Sequence, residues 1–177
     1  MPPEIISTEK IASCDLFDVT RSKIRENGVE YNRDIVVHPG SAVVVPYFED
    51  ETVALVSQYR YAAGKELLEL PAGSLEEGET ALECAAREIR EEVGYSAERL
   101  EKLTEFYVSP GFLTESMTVF FATGLTHDPL EGDADEFIDV RRINLAEAAS
   151  MARQNTFSDA KTILGLLFAE MRIAKGV

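Results

Sequence analysis

Cysteine and histidine are scarce in this chain. Cys14 and Cys84 are its two cysteines, far apart and without CxxC spacing, which excludes a disulfide framework and a thiolate metal cluster. His38 and His127 are too few for a multi-histidine zinc site. Basic residues are outnumbered, with 17 Lys and Arg against 32 Asp and Glu and a net charge of −15. So acidic a chain repels a phosphate backbone, and nucleic acid is not the expected partner. If it handles phosphate, it needs a divalent cation between the two anions. Long apolar runs are missing as well: Ala42 to Pro46 is far below membrane-spanning length. The opening MPPEIISTEK lacks the basic and apolar regions of a secretion signal. The reading is a cytoplasmic protein with no membrane partner.

What is present suits a packed domain. The 177 residues are 45% hydrophobic and 28% charged, with no internal repeat or low-complexity tract. Leu16–Ile24 and Glu30–Val37 flank Glu26-Asn27-Gly28, where Asn-Gly supplies the positive φ angles of a hairpin turn. Ala42–Phe48 and Val53–Tyr59 flank the acidic turn Glu49-Asp50-Glu51, which predicts a second hairpin. A short strand over Leu67–Leu70 ends at Pro71-Ala72-Gly73. The spacing of Leu82, Ala85, Ile89 and Val93 predicts a helix over Ala81–Val93, opened by a Thr80/Glu83 capping box and stopped at Gly94. Further strands are expected over Leu103–Val108, Met117–Thr123 and Phe137–Ile143, and helices over Leu145–Arg153 and Asp159–Ala174. Strands wrapped by a few helices indicate a mixed α/β sandwich.

The chemistry is concentrated in Gly73–Tyr95. At about 100° per residue, Glu88, Glu91 and Glu92 share one arc of the helix, away from the Leu82/Ile89/Val93 stripe. Three neighbouring carboxylates resist joint ionisation unless a cation sits among them. Oxygen ligands on a rigid helix suit Mg²⁺ or Mn²⁺. Arg87, one turn before Glu91, can pair with it and fix its orientation. A Glu- and Arg-rich helix face is most often solvated surface. Against that stand the glycine loop, the glutamate near the helix start and REIREEVG at its end, all at fixed spacing.

This pattern resembles the Nudix box: Gly, five residues, Glu, seven residues, then Arg-Glu-aliphatic-x-Glu-Glu-x-Gly. Gly73, Glu79, Arg87, Glu88, Ile89, Glu91, Glu92 and Gly94 match it; Tyr95 replaces a final aliphatic residue. The resemblance implies a Nudix-type α/β/α sandwich with a mixed sheet over residues 41–177. It is preceded by an antiparallel β segment over 1–40 that would form a homodimer. It implies metal-dependent hydrolysis of a nucleoside diphosphate linked to another group. Glu88, Glu92 and the Ala72 carbonyl would be metal ligands, and Glu91 a further ligand or catalytic partner. Glu79 would have a structural place.

Residues outside the box are similar to the ADP-ribose pyrophosphatase branch: Gln58-Tyr59-Arg60-Tyr61, Leu68-Glu69-Leu70-Pro71-Ala72-Gly73, Pro110, and Asp159-Ala160-Lys161-Thr162. That likeness makes Arg60 and Arg33 phosphate-binding residues, their guanidinium groups suited to two-point contact. Pro110 joins them at the substrate, and Arg33 can reach a neighbouring subunit's site. In the loop LEGDADEF, Glu136 is placed as metal ligand and general base. Ala134 stands where related enzymes often have a second acid, so Asp133, Asp135 and Glu115 remain alternatives. The implied reaction is ADP-ribose to AMP and ribose 5-phosphate; another substrate such as GDP-mannose, or a non-catalytic nucleotide-sensing module, are the competing readings.

Overall fold

The computed structural model describes residues 2–132 and 137–176. It divides into two compact units, Met1–Gly40 with Phe106–Ser116, and Ser41–Glu105 with Met117–Val177. Among the described residues, no helix is long and apolar enough to cross a membrane.

The first unit is an antiparallel sheet of order β1-β2-β3, from β1 (Glu4–Ser13), β2 (Asp18–Glu26) and β3 (Val29–Val37). Asn27 and Gly28 take φ of 51° and 81° between β2 and β3, the left-handed pair that a two-residue hairpin requires. β1 was not visible in the sequence reading because every one of its residues is exposed, so burial imposes no alternation on it. The segment Phe106–Ser116 is tied to β3: Val36 N–H donates to the Phe112 carbonyl at 2.8 Å and Thr114 N–H to the Val36 carbonyl at 3.0 Å.

The second unit holds two sheets. One has the order β7-β4-β9-β8, from β4 (Ser41–Pro46), β7 (Ala72–Ser74), β8 (Tyr95–Tyr107) and β9 (Ser116–His127), with β4 and β9 parallel. The other has the order β10-β5-β6, from β5 (Thr52–Arg60), β6 (Lys65–Glu69) and β10 (Asp139–Asn144). The expected Ala42–Phe48/Val53–Tyr59 hairpin therefore does not form. β4 is buried along its whole length and already lies between β7 and β9. A strand buried on both faces reads as a continuous apolar run and takes a central place. At the turn one antiparallel bridge survives, Tyr47 to Val53, and beyond it β5 continues in the other sheet.

Helices cover both faces of the β4 sheet. Helix α1 (Ala81–Glu88) packs Cys84 and Ala85, with Ile89 and Val93 beyond its end, onto Ala42, Val44, Ala54, Val56, Phe120 and Ala122. On the opposite side, α3 (Ala160–Ala174) brings Gly165 against Leu70, Val45 and Val119, and Arg172 over the Phe121 ring. A Cβ on Gly165 would stand 2.4 Å from Leu70 Cδ1, so only glycine lets α3 come this close. Helix α2 (Leu145–Arg153) follows β10 and is capped by Asn144.

Candidate active site

The box helix opens as its sequence specifies. Thr80 accepts from Glu83 N–H, and the Glu83 carboxylate accepts in return from Thr80 N–H at 2.9 Å. The expectation of one α-helix to Val93 needs correction, because Ile89–Val93 widens into a π-helical turn that Gly94 closes at φ 83°. Such turns occur often at functional sites. The carbonyl of Arg90 accepts from Leu130 N–H at 3.2 Å as well as from Gly94 N–H. This ties the segment before Asp133 to the end of the helix.

The burial of this helix also differs from the sequence expectation. Leu82 is 50% exposed, whereas Glu88 and Glu92 are each only 7% exposed. The apolar stripe is therefore Ala85, Ile89 and Val93, and two carboxylates are enclosed with it; the solvated-surface reading fails for these two. Helical spacing fixes neighbours on a face, but the shape of the partner surface decides which face is covered.

Gly73 explains how Glu88 fits. A Cβ on Gly73 would lie 1.7 Å from Glu88 Oε1, so the carboxylate rests directly on the glycine backbone. Glu92 is held from the same short strand: Ala72 N–H donates to its Oε2 at 3.1 Å. β7 is fixed in turn by its pairing with β4, Ala42 opposite Gly73 and Val43 opposite Ala72.

Arg87 organises the remaining carboxylates. Its Nε and Nη2 donate to the two oxygens of Glu79, each at 3.0 Å, and Nη2 also to the Ser74 carbonyl. Nη1 bridges Glu88 Oε1 at 2.6 Å and Glu91 Oε2 at 2.8 Å. The forked pair with Arg87 outweighs partial burial and holds the Glu79 carboxyl below the usual carboxylate range. Glu79 is thus the clamp that aims Arg87. Burial, with Glu88 and Glu79 nearby, pushes the Cys84 thiol up to about 12. Among the described residues, no three acidic, cysteine or histidine side chains form a ready-made metal cluster.

Arg60, at the end of β5, donates through Nε and Nη2 to Glu69 at 3.0 and 2.8 Å. Glu69 raises the basicity of Arg60 further against the opposing effect of burial, and the charges of Glu92 and Asp159 add to it. Glu69 and Lys161, which sequence reasoning left without roles, meet there as a buried ion pair. A carboxylate inside the apolar run Leu67–Leu70 and a lysine at a helix start were the available signals.

The sequence-assigned residues divide between the units. Arg60, Ala72, Glu88, Glu91 and Glu92 belong to the second. Arg33, Pro110 and Glu115 belong to the first. Arg33 lies over the ring of Tyr31, 4.4 Å from its centroid, and Pro110 sits in a turn closed by Phe112 N–H to the Ser109 carbonyl. Glu136, with Asp133 and Asp135, lies outside the described residues. On one side of that segment, a Cβ on Gly132 would be 3.8 Å from the Glu91 carbonyl. On the other, Phe137–Asp139 line a cleft of about 520 Å³ with Ser57, Gln58 and Tyr59 of β5.

A family model for the Nudix domain matches residues 37–165. The chain belongs to the Nudix domain family. It is 35% identical over 172 residues to an ADP-ribose pyrophosphatase of Bacillus subtilis (strain 168), covering 96% of this chain and 93% of that one. To a methanol dehydrogenase activator of Bacillus methanolicus it is 34% identical over 172 residues, with the same coverage. Among solved structures, one described as an ADP compounds hydrolase superposes with a TM-score of 0.87 at 26% identity, covering 99% of this chain and 96% of that one. The α/β/α Nudix fold and the pyrophosphohydrolase character of the family, whose members generally use a divalent metal, follow for this chain.

Proposed function

We propose that this Nudix hydrolase cleaves the diphosphate bond of ADP-ribose to AMP and ribose 5-phosphate, with Mg²⁺ or Mn²⁺. The observation that carries the reading is the burial of Glu88 and Glu92 against Ala72–Gly73, one and five residues beyond Arg87 and with the charge of Glu92 acting on Arg60. The donor set fits a hard divalent cation. Its ligands are carboxylate oxygens, and Glu79, Glu88 and Glu91 share the single charge of Arg87.

Glu88, Glu92 and the Ala72 carbonyl would hold the metal, which when bound neutralises the diphosphate and acidifies a water molecule. Arg60 binds and orients the phosphate oxygens. Arg87 holds Glu91 and Glu88 in place. A carboxylate takes the proton of the attacking water: Glu136 is assigned this role by resemblance, with Glu91 alongside it. Gly132 against Glu91 brings the chain leading to Glu136 to the edge of the box helix, which supports the assignment. Arg33 and Pro110 are assigned to the substrate, and the 1–40 segment to a homodimer, on the same resemblance, and a cytoplasmic location accompanies this reading.

The test is turnover of ADP-ribose, GDP-mannose, NADH and diadenosine polyphosphates with Mg²⁺ and with EDTA, products separated by chromatography. The expected result is metal-dependent release of AMP, fastest from ADP-ribose, and its loss in Glu92→Gln. Faster cleavage of GDP-mannose would replace the substrate while leaving the metal helix standing. Tight ADP-ribose binding without cleavage under either metal would favour the sensor reading.

A further inference from the structure

The start of α3 breaks two ordinary rules. Lys161 is the second residue of the helix, behind the N-cap Asp159, at the positive end of the helix dipole, where a cation is disfavoured. It is also only 7% exposed, although a buried ammonium is costly unless paired. Its partner is Glu69, which is 1% exposed and 92 residues away in sequence. A buried ion pair of this kind is weak evidence for a stabilising role.

The contacts show what the pair can do instead. Glu69 Oε1 accepts from Arg60 Nε, while Oε2 accepts from both Arg60 Nη2 and Lys161. A carboxylate gripped at one oxygen from behind cannot swivel, and a two-point fork copies its plane onto the guanidinium. The base of the grip is itself fixed. Asp159 accepts from Lys161 at 3.1 Å and from Thr162 Oγ1 at 2.6 Å, while Thr162 Oγ1 accepts from Leu70 N–H at 2.7 Å.

We propose that Lys161 is a positioning residue that acts through Glu69 to aim Arg60 at the diphosphate of the substrate. This rests on the reading of Arg60 as a phosphate-binding residue. Lys161 reaches the substrate only through Glu69 and Arg60, so its loss affects substrate capture more than turnover.

The experiment compares KM and kcat for ADP-ribose in Lys161→Met, Arg60→Ala, the double variant Arg60→Ala/Lys161→Met and Ala148→Gly. Lys161→Met should raise KM about tenfold or more, as expected for loss of a charge-assisted contact, with kcat little changed. In the double variant KM should be no higher than in Arg60→Ala alone, because both changes remove one unit. Ala148→Gly weakens α2 at a buried position without touching a charge or the start of α3; it should lower thermal stability and leave KM alone. Should Lys161→Met fail to fold, Glu69→Gln/Lys161→Met removes both buried charges and carries the same KM prediction. A wild-type KM in the folded lysine variant beside a raised KM in Arg60→Ala would overturn the proposal and spare the role of Arg60. Losses that add in the double variant, or an equal KM rise in Ala148→Gly, would reduce Lys161 to a structural part. An unchanged KM in Arg60→Ala would remove the substrate role of Arg60, and the proposal with it.

Discussion

Replacing Gly73 by alanine isolates the proposed metal-ligand geometry from the rest of the fold. The glycine is not in the left-handed region, so alanine suits its backbone and the perturbation is purely steric. The new methyl would lie 1.7 Å from Glu88 Oε1, 2.1 Å from Cδ and 2.6 Å from Oε2. The carboxylate must therefore retreat by roughly 1.5 Å to regain ordinary contact. It has little room, because it is buried and accepts from Arg87 Nη1 at 2.6 Å. Overpacking of this kind costs about 1–3 kcal/mol of stability. Displacement of a catalytic group by about 1 Å costs on the order of 10²-fold in rate. Gly73→Ala should thus remain folded, melt somewhat lower, and lose about two orders of magnitude in kcat at saturating Mg²⁺. Gly78→Ala is the matched control: its φ is 82° and nothing lies within 4 Å of a Cβ there, so it gains only backbone strain, melts lower and keeps its kcat. Circular-dichroism melts and ADP-ribose turnover on the same preparations decide the matter. Near-wild-type kcat in Gly73→Ala would refute the argument that Glu88 works from its seat on Gly73.

Three further outcomes follow from the site. Because Arg87 depresses the Glu79 carboxyl, that pair stabilises the fold above the ordinary carboxylate pKa of about 4.3 and loses its contribution as pH falls through the lower folded value. Glu79→Gln should be less stable at neutral pH and lose less on acidification, read from denaturant midpoints between pH 7 and 3; parallel acid losses would count against the Arg87 pairing. Cys84 is buried with its thiol pushed up to about 12 whereas Cys14 is exposed, so a disulfide reagent at pH 8 should modify one thiol in the native chain and both after unfolding, and rapid native modification of both would contradict the packing of α1. Glu92→Gln should match or exceed the wild type in thermal stability under EDTA and gain less from added Mg²⁺, since it removes a buried charge and a proposed metal ligand together; an equal Mg²⁺ shift would exclude Glu92 as a ligand.

The parts of the site legible in the sequence were those set by contacts within one helix turn. The Thr80/Glu83 capping box, the left-handed stop at Gly94 and the Arg87–Glu91 pair all form as their spacing predicts. Partners distant in the chain were not legible. Nothing local announces that Glu69 meets Lys161, or that the chain passes from one sheet to the other at Glu49-Asp50-Glu51. The helical period likewise placed Leu82 on the same stripe as Ile89. The structure leaves Leu82 exposed because Ala72–Gly73 encloses Glu88 and Glu92 instead. β8, which begins at Tyr95 and not at Leu103, was half hidden for a related reason: its first half mixes Glu98, Arg99, Glu101 and Lys102 with few apolar residues.

That inverted burial explains the odd construction of the box. A helix that encloses two carboxylates and exposes a leucine sacrifices hydrophobic stabilisation, and the chain offsets the loss with fixed donors. Arg87 serves Glu79, Glu88 and Glu91, the Ala72 N–H serves Glu92, and Gly73 gives Glu88 room. Each of these donors comes from β7 or from the helix itself, and β7 is anchored on the buried strand β4. The carboxylates are therefore held against a fully buried strand, and fixed donors of this kind keep reorganisation from adding to a barrier. The same reasoning separates the two arginines near the box. Arg87 has its donors committed to carboxylates and to Ser74, whereas the contacts of Arg60 to Glu69 use only Nε and Nη2. Arg60 is thus the one with an edge to present to a diphosphate.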